Sequence, residues 1–250
     1  MNPSEQELTT LPHRDLLHEK IVFLSASFPS RERSAQFYET ADPDEITQAL
    51  VATCRAVLSA GGRIVFGGHP SVTPLVMMVA EEYLPEAIED RLRLRESGRA
   101  AVIAYQSESF RAAMPESTRN LEAWGLGELR WVEVQGDEPQ FTPDGTLIHG
   151  TGEQSLRRMR EQMFGETKPV GAIFIGGMEG IHKEAEIFRH MCGGQMLYFL
   201  GAPGGAAREL AQNERSEFTP DAGLNSDELL KGRSYPAIAQ RIVMDIAARG

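Results

Sequence analysis

The stretch Gly171–His190, GAIFIGGMEGIHKEAEIFRH, constrains the fold more than any other. Ala172, Phe174 and Ile175 read as a buried strand. Gly176, Gly177 and Gly180 read as the turn after it. Glu184 and Glu186 then open a helix that continues through Ile187 and Phe188. A strand that ends in glycines and restarts as a helix makes a crevice. Backbone N–H groups and the positive end of the helix dipole face it, and both favour anionic ligands. In open parallel sheets such turns lie at the carboxyl ends of strands, where ligands bind.

The rest of the chain repeats this alternation. Lys20–Ser25, KIVFLS, is nearly all apolar, as a strand buried on both faces is. Its exit runs Ser25-Ala26-Ser27-Phe28-Pro29-Ser30-Arg31-Glu32-Arg33. Hydroxyls at the turn and two arginines beyond it suit a phosphate or a ribose. The competing reading is a serine-rich surface loop. Residues 44–60 carry apolar residues at helical spacing, with Asp42 or Asp44 as cap and Gly61-Gly62 as terminator. Arg63–Phe66 is a second strand. It leads into Gly67-Gly68-His69-Pro70-Ser71-Val72-Thr73-Pro74, with Thr73 as cap and Pro74 at the first helical position. His69 faces either a ligand or its own loop. The helix body Leu75–Ala80 is apolar nearly all round, which points to burial inside a domain or between two copies.

Further strands are expected at Ala100–Tyr105, Leu129–Val134 and Gln195–Leu200. Residues 86–99 read as a solvated charge run, and 106–120 as a polar loop with a short helix. Residues 136–150 read as an insertion or edge hairpin, and 153–164 as an amphipathic helix. Gly201–Ala207 is a third glycine-rich turn, followed by a helix to about Gln212. Residues 213–231 read as irregular, and 235–249 as a closing helix. Residues 1–19 form a polar arm. Strand–helix alternation predicts an α/β fold with a Rossmann-like, mainly parallel sheet of about six strands and helices on both faces. We expect a single domain over 1–250, with its core at about 20–212.

Several function classes are disfavoured. There is no G-x-x-x-x-G-K-[ST] loop, no G-x-G-x-x-G after the first strand, no H-E-x-x-H or C-x-x-C, and no G-x-S-x-G elbow. No cofactor and no metal are expected. A net charge of −11 argues against binding a nucleic acid polymer. A local basic pocket is still within reach of Arg31, Arg33, Arg111, Arg119, Lys168 and Lys183. No apolar run is long enough to span a membrane. No basic region precedes an apolar core at the N-terminus, and Cys54 and Cys192 are too few for a disulfide framework. Both cysteines are expected to be reduced and structural, in a cytoplasmic protein.

What remains is a nucleotide-like site of backbone donors, hydroxyls and carboxylates. Glu184 is the favoured carboxylate, because it lies nearer the turn than Glu186 and the two cannot face one crevice. It could bind ribose hydroxyls or stabilise positive charge during N-glycosidic cleavage. The competing reading is an acid that only complements the helix dipole.

Gly176-Gly177-Met178-Glu179-Gly180-Ile181-His182-Lys183-Glu184 resembles the hallmark of the SLOG superfamily, P-G-G-x-G-T-x-x-E. That group gathers LOG-type, "lysine decarboxylase-like" proteins and nucleotide-signal sensors of bacterial antiphage systems such as Thoeris. The chain lacks the Pro, carries one extra residue before Gly180 and has Ile181 for Thr. This looser form resembles the sensor branches more than the enzymes. The Ser25-Ala26-Ser27 exit and the Gly67-Gly68-His69 turn extend the resemblance.

The resemblance implies a nucleotide or NAD/ADP-ribose-derived ligand. Its contacts would come from Ser25, Ala26, Ser27, Arg31, Arg33, Gly67, Gly68, His69, Ser71 and Thr73, and from Gly176, Gly177, Met178, Glu179, Gly180 and Glu184. It implies a sensor or sequestering protein in antiphage defence. The alternative is a LOG-like N-glycosidic hydrolase or transferase with Glu184 as the catalytic carboxylate. A third reading is a partner-binding module with a vestigial crevice. With no fused effector, a sensor would act through a homodimer or higher oligomer, an effector protein, or sequestration.

Overall fold

The computed structural model describes residues 15–134, 140–141, 147–149, 152–213 and 224–249. Expectations for residues 1–14, and for parts of 136–150 and 213–223, fall outside them. Six parallel strands form one sheet with helices around it, in the order β4-β3-β2-β1-β7-β8. The strands are β1 (Ile21–Ser27), β2 (Arg63–Phe66), β3 (Val102–Ser107), β4 (Glu128–Val132), β7 (Gly171–Gly176) and β8 (Met196–Leu200). Between β4 and β7, the short strands β5 (Gln140–Phe141) and β6 (Leu147–His149) pair antiparallel. The expected α/β, Rossmann-like arrangement is the one observed. From β1 the chain steps outward to β4, then returns to place β7 beside β1. The strand order therefore reverses between β1 and β7, which is where such sheets bind ligands.

The chain divides into two compact units, residues 1–64 with 169–250, and residues 65–168. The first unit holds β1, β7 and β8 in continuous parallel register, with Ser25 opposite Phe174 and Ser27 opposite Gly176. Its helices are α1 (Ala35–Thr40), α2 (Pro43–Ser59), α7 (Glu179–Met191), α8 (Gly205–Asn213), α9 (Ser226–Lys231) and α10 (Tyr235–Arg249). Asp42 is the cap of α2 and accepts from Asp44 N at 3.0 Å and Glu45 N at 3.2 Å. Ile46, Leu50, Thr53, Cys54 and Val57 make its buried face, and α2 packs on α10. Phe23 of β1 lies 5.9 Å from Phe174 of β7 and 6.1 Å from Phe188 of α7, ring centre to ring centre.

The second unit holds β3 and β4 with α3 (Thr73–Tyr83), α4 (Ile88–Glu96), α5 (Glu116–Ala123) and α6 (Glu153–Thr167). Every residue of β3 is buried, whereas β4 is half-exposed along most of its length, as an edge strand is. Tyr105 Oη donates to Glu166 Oε2 at 2.6 Å, and Arg130 Nη1 donates to Tyr105 Oη at 2.8 Å. Arg130 also pairs with Glu128 at 2.7 Å.

Four expectations need correction. β1 runs two residues beyond Ser25. β3 is shifted to Val102–Ser107, because Gln106 and Ser107 are polar yet buried and so did not read as strand. Arg91 is not solvated: it is 7 % exposed, donates to the Pro85 carbonyl and lies 3.5 Å from Glu81. Residues 226–231 are helical, capped by Asn225 and tied to α10 by the Arg241–Glu228 pair.

Candidate functional site

The reversal point is built from the ends of β1 and β7 and the start of α7, all in the first unit. Side chains two apart on a strand share a face, as do side chains four apart on a helix. Phe23 and Ser25 of β1 therefore meet Phe188 and Glu184 of α7 in matching steps, about 6–7 Å apart on each element. The rings of Phe23 and Phe188 stack, and the Ser25 hydroxyl donates to the Glu184 carboxylate. Ser25 is buried and Glu184 half-buried. This pairing runs α7 antiparallel to β1 and sets its N-terminus at the carboxyl end of the strand.

The glycines at this end are required by packing. Gly176 and Gly177 have φ of 64° and 78°, in the left-handed region that side chains disfavour. Gly177 N donates to Ser27 O at 2.8 Å, and Ala206 N donates to Gly177 O at 3.0 Å. A Cβ on Gly205 would stand 2.7 Å from the carbonyl carbon of Gly176. Three backbones thus converge with no room for side chains: the ends of β1 and β7 and the start of α8.

The segment after β1 is stitched back to α7 a second time. Ser34 Oγ donates to Glu179 Oε1 at 3.0 Å, and Phe37 of α1 faces His182 with ring centres 6.2 Å apart. Arg31 and Arg33, between the two serine–glutamate pairs, are exposed. Ala26 and Ser27 are half-buried at the strand end.

Three details of the sequence reading change. Glu184 is the sixth residue of α7 and Glu186 follows it, so neither lies in the first turn; Glu179 is the acid there. Gly180 lies inside α7 rather than in the turn. Gly176, Gly177 and Met178 are buried, which leaves Glu179 and Gly180 as the more accessible residues of the motif.

The Gly67–Thr73 turn belongs to the second unit and is braced by bonds within it. Gln106 Nε2 donates to Gly68 O at 2.8 Å and to Gly67 O at 3.3 Å. His69 Nδ1 lies 2.8 Å from Ser71 Oγ, so its ring folds onto its own turn. Thr73 does not cap α3; it is the first helical residue, is fully buried, and donates to His69 O at 3.0 Å. Gln106, Ser34 and the Gly204-Gly205 pair were not singled out as site residues from the sequence. Only the glycine pair carried a signal, the third glycine turn.

Burial raises both thiols, Cys54 to about 12 and Cys192 to about 11. Among the described residues no group of three or more His, Cys, Asp or Glu is placed to hold a metal ion. No helix among them is long and apolar enough to cross a membrane.

The sequence pattern of the SLOG cluster3 family matches residues 36–128 and 141–232, well over half of the chain. No curated protein matches the sequence. Membership in such a family suggests a nucleotide-related Rossmann-like domain, in keeping with a strand order that reverses beside a glycine turn. On the extent of that match the chain belongs to the SLOG cluster3 family.

Proposed function

We propose that the protein binds a nucleotide or an NAD/ADP-ribose-derived signal at the carboxyl ends of β1 and β7, and acts as a sensor or sequestering protein. The observation that carries this reading is the Ser25–Glu184 pair, a hydroxyl and a carboxylate held together at the reversal point. A carboxylate there accepts from ribose hydroxyls, as acids do in related dinucleotide folds. The exposed Arg31 and Arg33 supply positive charge for phosphates. On the family resemblance, Gly67, Gly68, His69, Ser71 and Thr73 of the other unit are proposed separately as ligand-binding residues. A role in antiphage defence, a homo-oligomeric output and an effector partner belong to the same proposal, on the likeness to sensor-type SLOG proteins.

Incubating the purified chain with AMP, NAD and cyclic ADP-ribose isomers tests it. A rise in melting temperature with the ligand recovered intact is expected, since a ligand that binds only the folded state stabilises it. Release of base or ribose phosphate would convert the reading to an N-glycosidic hydrolase using Glu184. No shift with any of them would overturn it in favour of a partner-binding module.

A further inference from the structure

A set of unmet hydrogen-bonding groups lies in the second unit, on α6. That helix starts after Gly152, which has a φ of 64° and no side chain with which to cap it. The first N–H groups of a helix have no partner within it. Ser155, the third residue of α6, is 0 % exposed, and its hydroxyl has no hydrogen-bond partner among the described residues. Three residues on, Arg158 buries an Nε–H that has no partner among the described residues. Residues three apart lie side by side on one helix face. The Cα–Cβ bond of a helical residue tilts toward the N-terminus, so the Ser155 side chain leans toward the start of α6, where Gly152 offers no side-chain cap.

Native proteins rarely leave buried donors unpaired, because each forfeits its hydration without return. Among the described residues, the other buried hydroxyls lacking partners, Thr53 and Thr118, sit on separate helices with no such neighbour. On α6 two unpartnered donors lie on one face near the helix start, whose first N–H groups have no partner within the helix, and one acceptor with several oxygens would satisfy them together. Glu153, the one carboxylate in the first turn, is exposed. The same face of α6 also contacts a glycine strand exit of its own unit. Met159, one turn beyond Ser155 on the same face, has its Cε 3.6 Å from where a Cβ on Gly67 would stand.

We propose that the N-terminal turn of α6, with the Ser155 hydroxyl and the Arg158 Nε–H, is an oxyanion site that takes a phosphate group. The phosphate is either free or carried on a nucleotide. The site uses no residue of the β1–β7 reversal point, so its free-phosphate arm stands whether or not a nucleotide binds there.

The test titrates inorganic phosphate and, separately, ADP-ribose into the full chain at constant ionic strength balanced with chloride. Melting temperature and calorimetric affinity are read for wild type, Ser155→Ala and Arg158→Lys. Without ligand, Ser155→Ala should melt at or above the wild-type temperature, because it deletes an unpaired buried hydroxyl. Its affinity for phosphate should nevertheless fall about tenfold or more, the loss expected for one hydrogen bond to a charged group. Arg158→Lys should weaken binding similarly, since lysine keeps the charge without the Nε–H. A matching loss with ADP-ribose assigns the site to a nucleotide phosphate; a loss with inorganic phosphate alone assigns it to the free ion. Equal phosphate responses in all three proteins would overturn the proposal, as would a wild type that responds to neither probe. Ser155→Ala melting lower with its phosphate affinity intact would also overturn it, because the hydroxyl would then have an internal role.

Discussion

The Ser25 hydroxyl on β1 donates to the Glu184 carboxylate on α7, across 159 positions of chain. The pair joins the strand end to the helix that follows the glycine turn, two residues along the strand from the stacked Phe23–Phe188 rings. Replacing Ser25 by Ala leaves a half-buried carboxylate without this donor. Urea unfolding should show a loss of about 1.5–3 kcal/mol, the range for hydrogen bonds to charged groups. Glu184→Gln keeps the shape and still accepts from Ser25, so its stability should change less. Its affinity for the proposed nucleotide should drop about tenfold or more. A Glu184→Gln protein that binds as tightly as wild type would remove Glu184 from the site.

The glycines of the convergence should differ in how they tolerate alanine. At Gly177 the added Cβ meets a side chain, 1.9 Å from Ile181 Cδ1. At Gly205 it meets backbone, 2.7 Å from the Gly176 carbonyl carbon. The left-handed φ costs an alanine about 1–2 kcal/mol at either place. Ile181→Val, which removes the colliding methyl, should rescue part of Gly177→Ala in a double-mutant cycle. No single side-chain change should rescue Gly205→Ala. Denaturant midpoints for the four variants check this.

Strand β7 shows what was legible in the sequence and why. Its run Gly171–Gly176 is apolar and buried throughout, and strands with helices on both faces must be so. Ser25 and Glu184 were each visible as site residues, because each has a neighbourhood that signals a strand exit or a helix start. Their pairing was not visible, since it depends on how far along β1 the helix α7 packs. Gln106 was missed for a related reason. A polar residue at a strand end reads as loop until the glycine carbonyls it serves are in place. Ser34 reads as one more hydroxyl in a serine-rich loop, and only α7 gives it Glu179 as a partner.

The acid limb of the stability curve should depend on Glu166. Burial, the largest influence, pushes its carboxyl up. The hydrogen bonds from Tyr105 and Gln162 and the charge of Arg130 together outweigh burial and hold it below the usual range. A depressed folded value means the contribution is present above the unfolded carboxyl value and is lost as pH falls through the folded one. Glu166→Gln should therefore lower stability slightly at neutral pH, flatten the fall below about pH 4.5, and converge with wild type in acid. The effect should be modest and should shrink with salt, because the side chain is 43 % exposed. Urea midpoints from acid to neutral pH, at low and high salt, measure both.

The alkaline limb should report the thiols. Burial holds the Cys54 thiol up at about 12 and the half-buried Cys192 thiol at about 11. The folded state therefore keeps these protons after the unfolded chain has released its own near pH 9. The stability they allow is full below that point and is lost as pH rises toward the folded values. For Cys54 the slope is about 1.4 kcal/mol per pH unit. Cys54→Ala should soften the alkaline fall while opening a small cavity at neutral pH. A thiol reagent at pH 8 should leave Cys54 unmodified in the native protein, modify Cys192 slowly, and react fast with both once the chain is unfolded. Fast modification of Cys54 under native conditions would mean that α2 opens away from α10 far more often than its buried face allows.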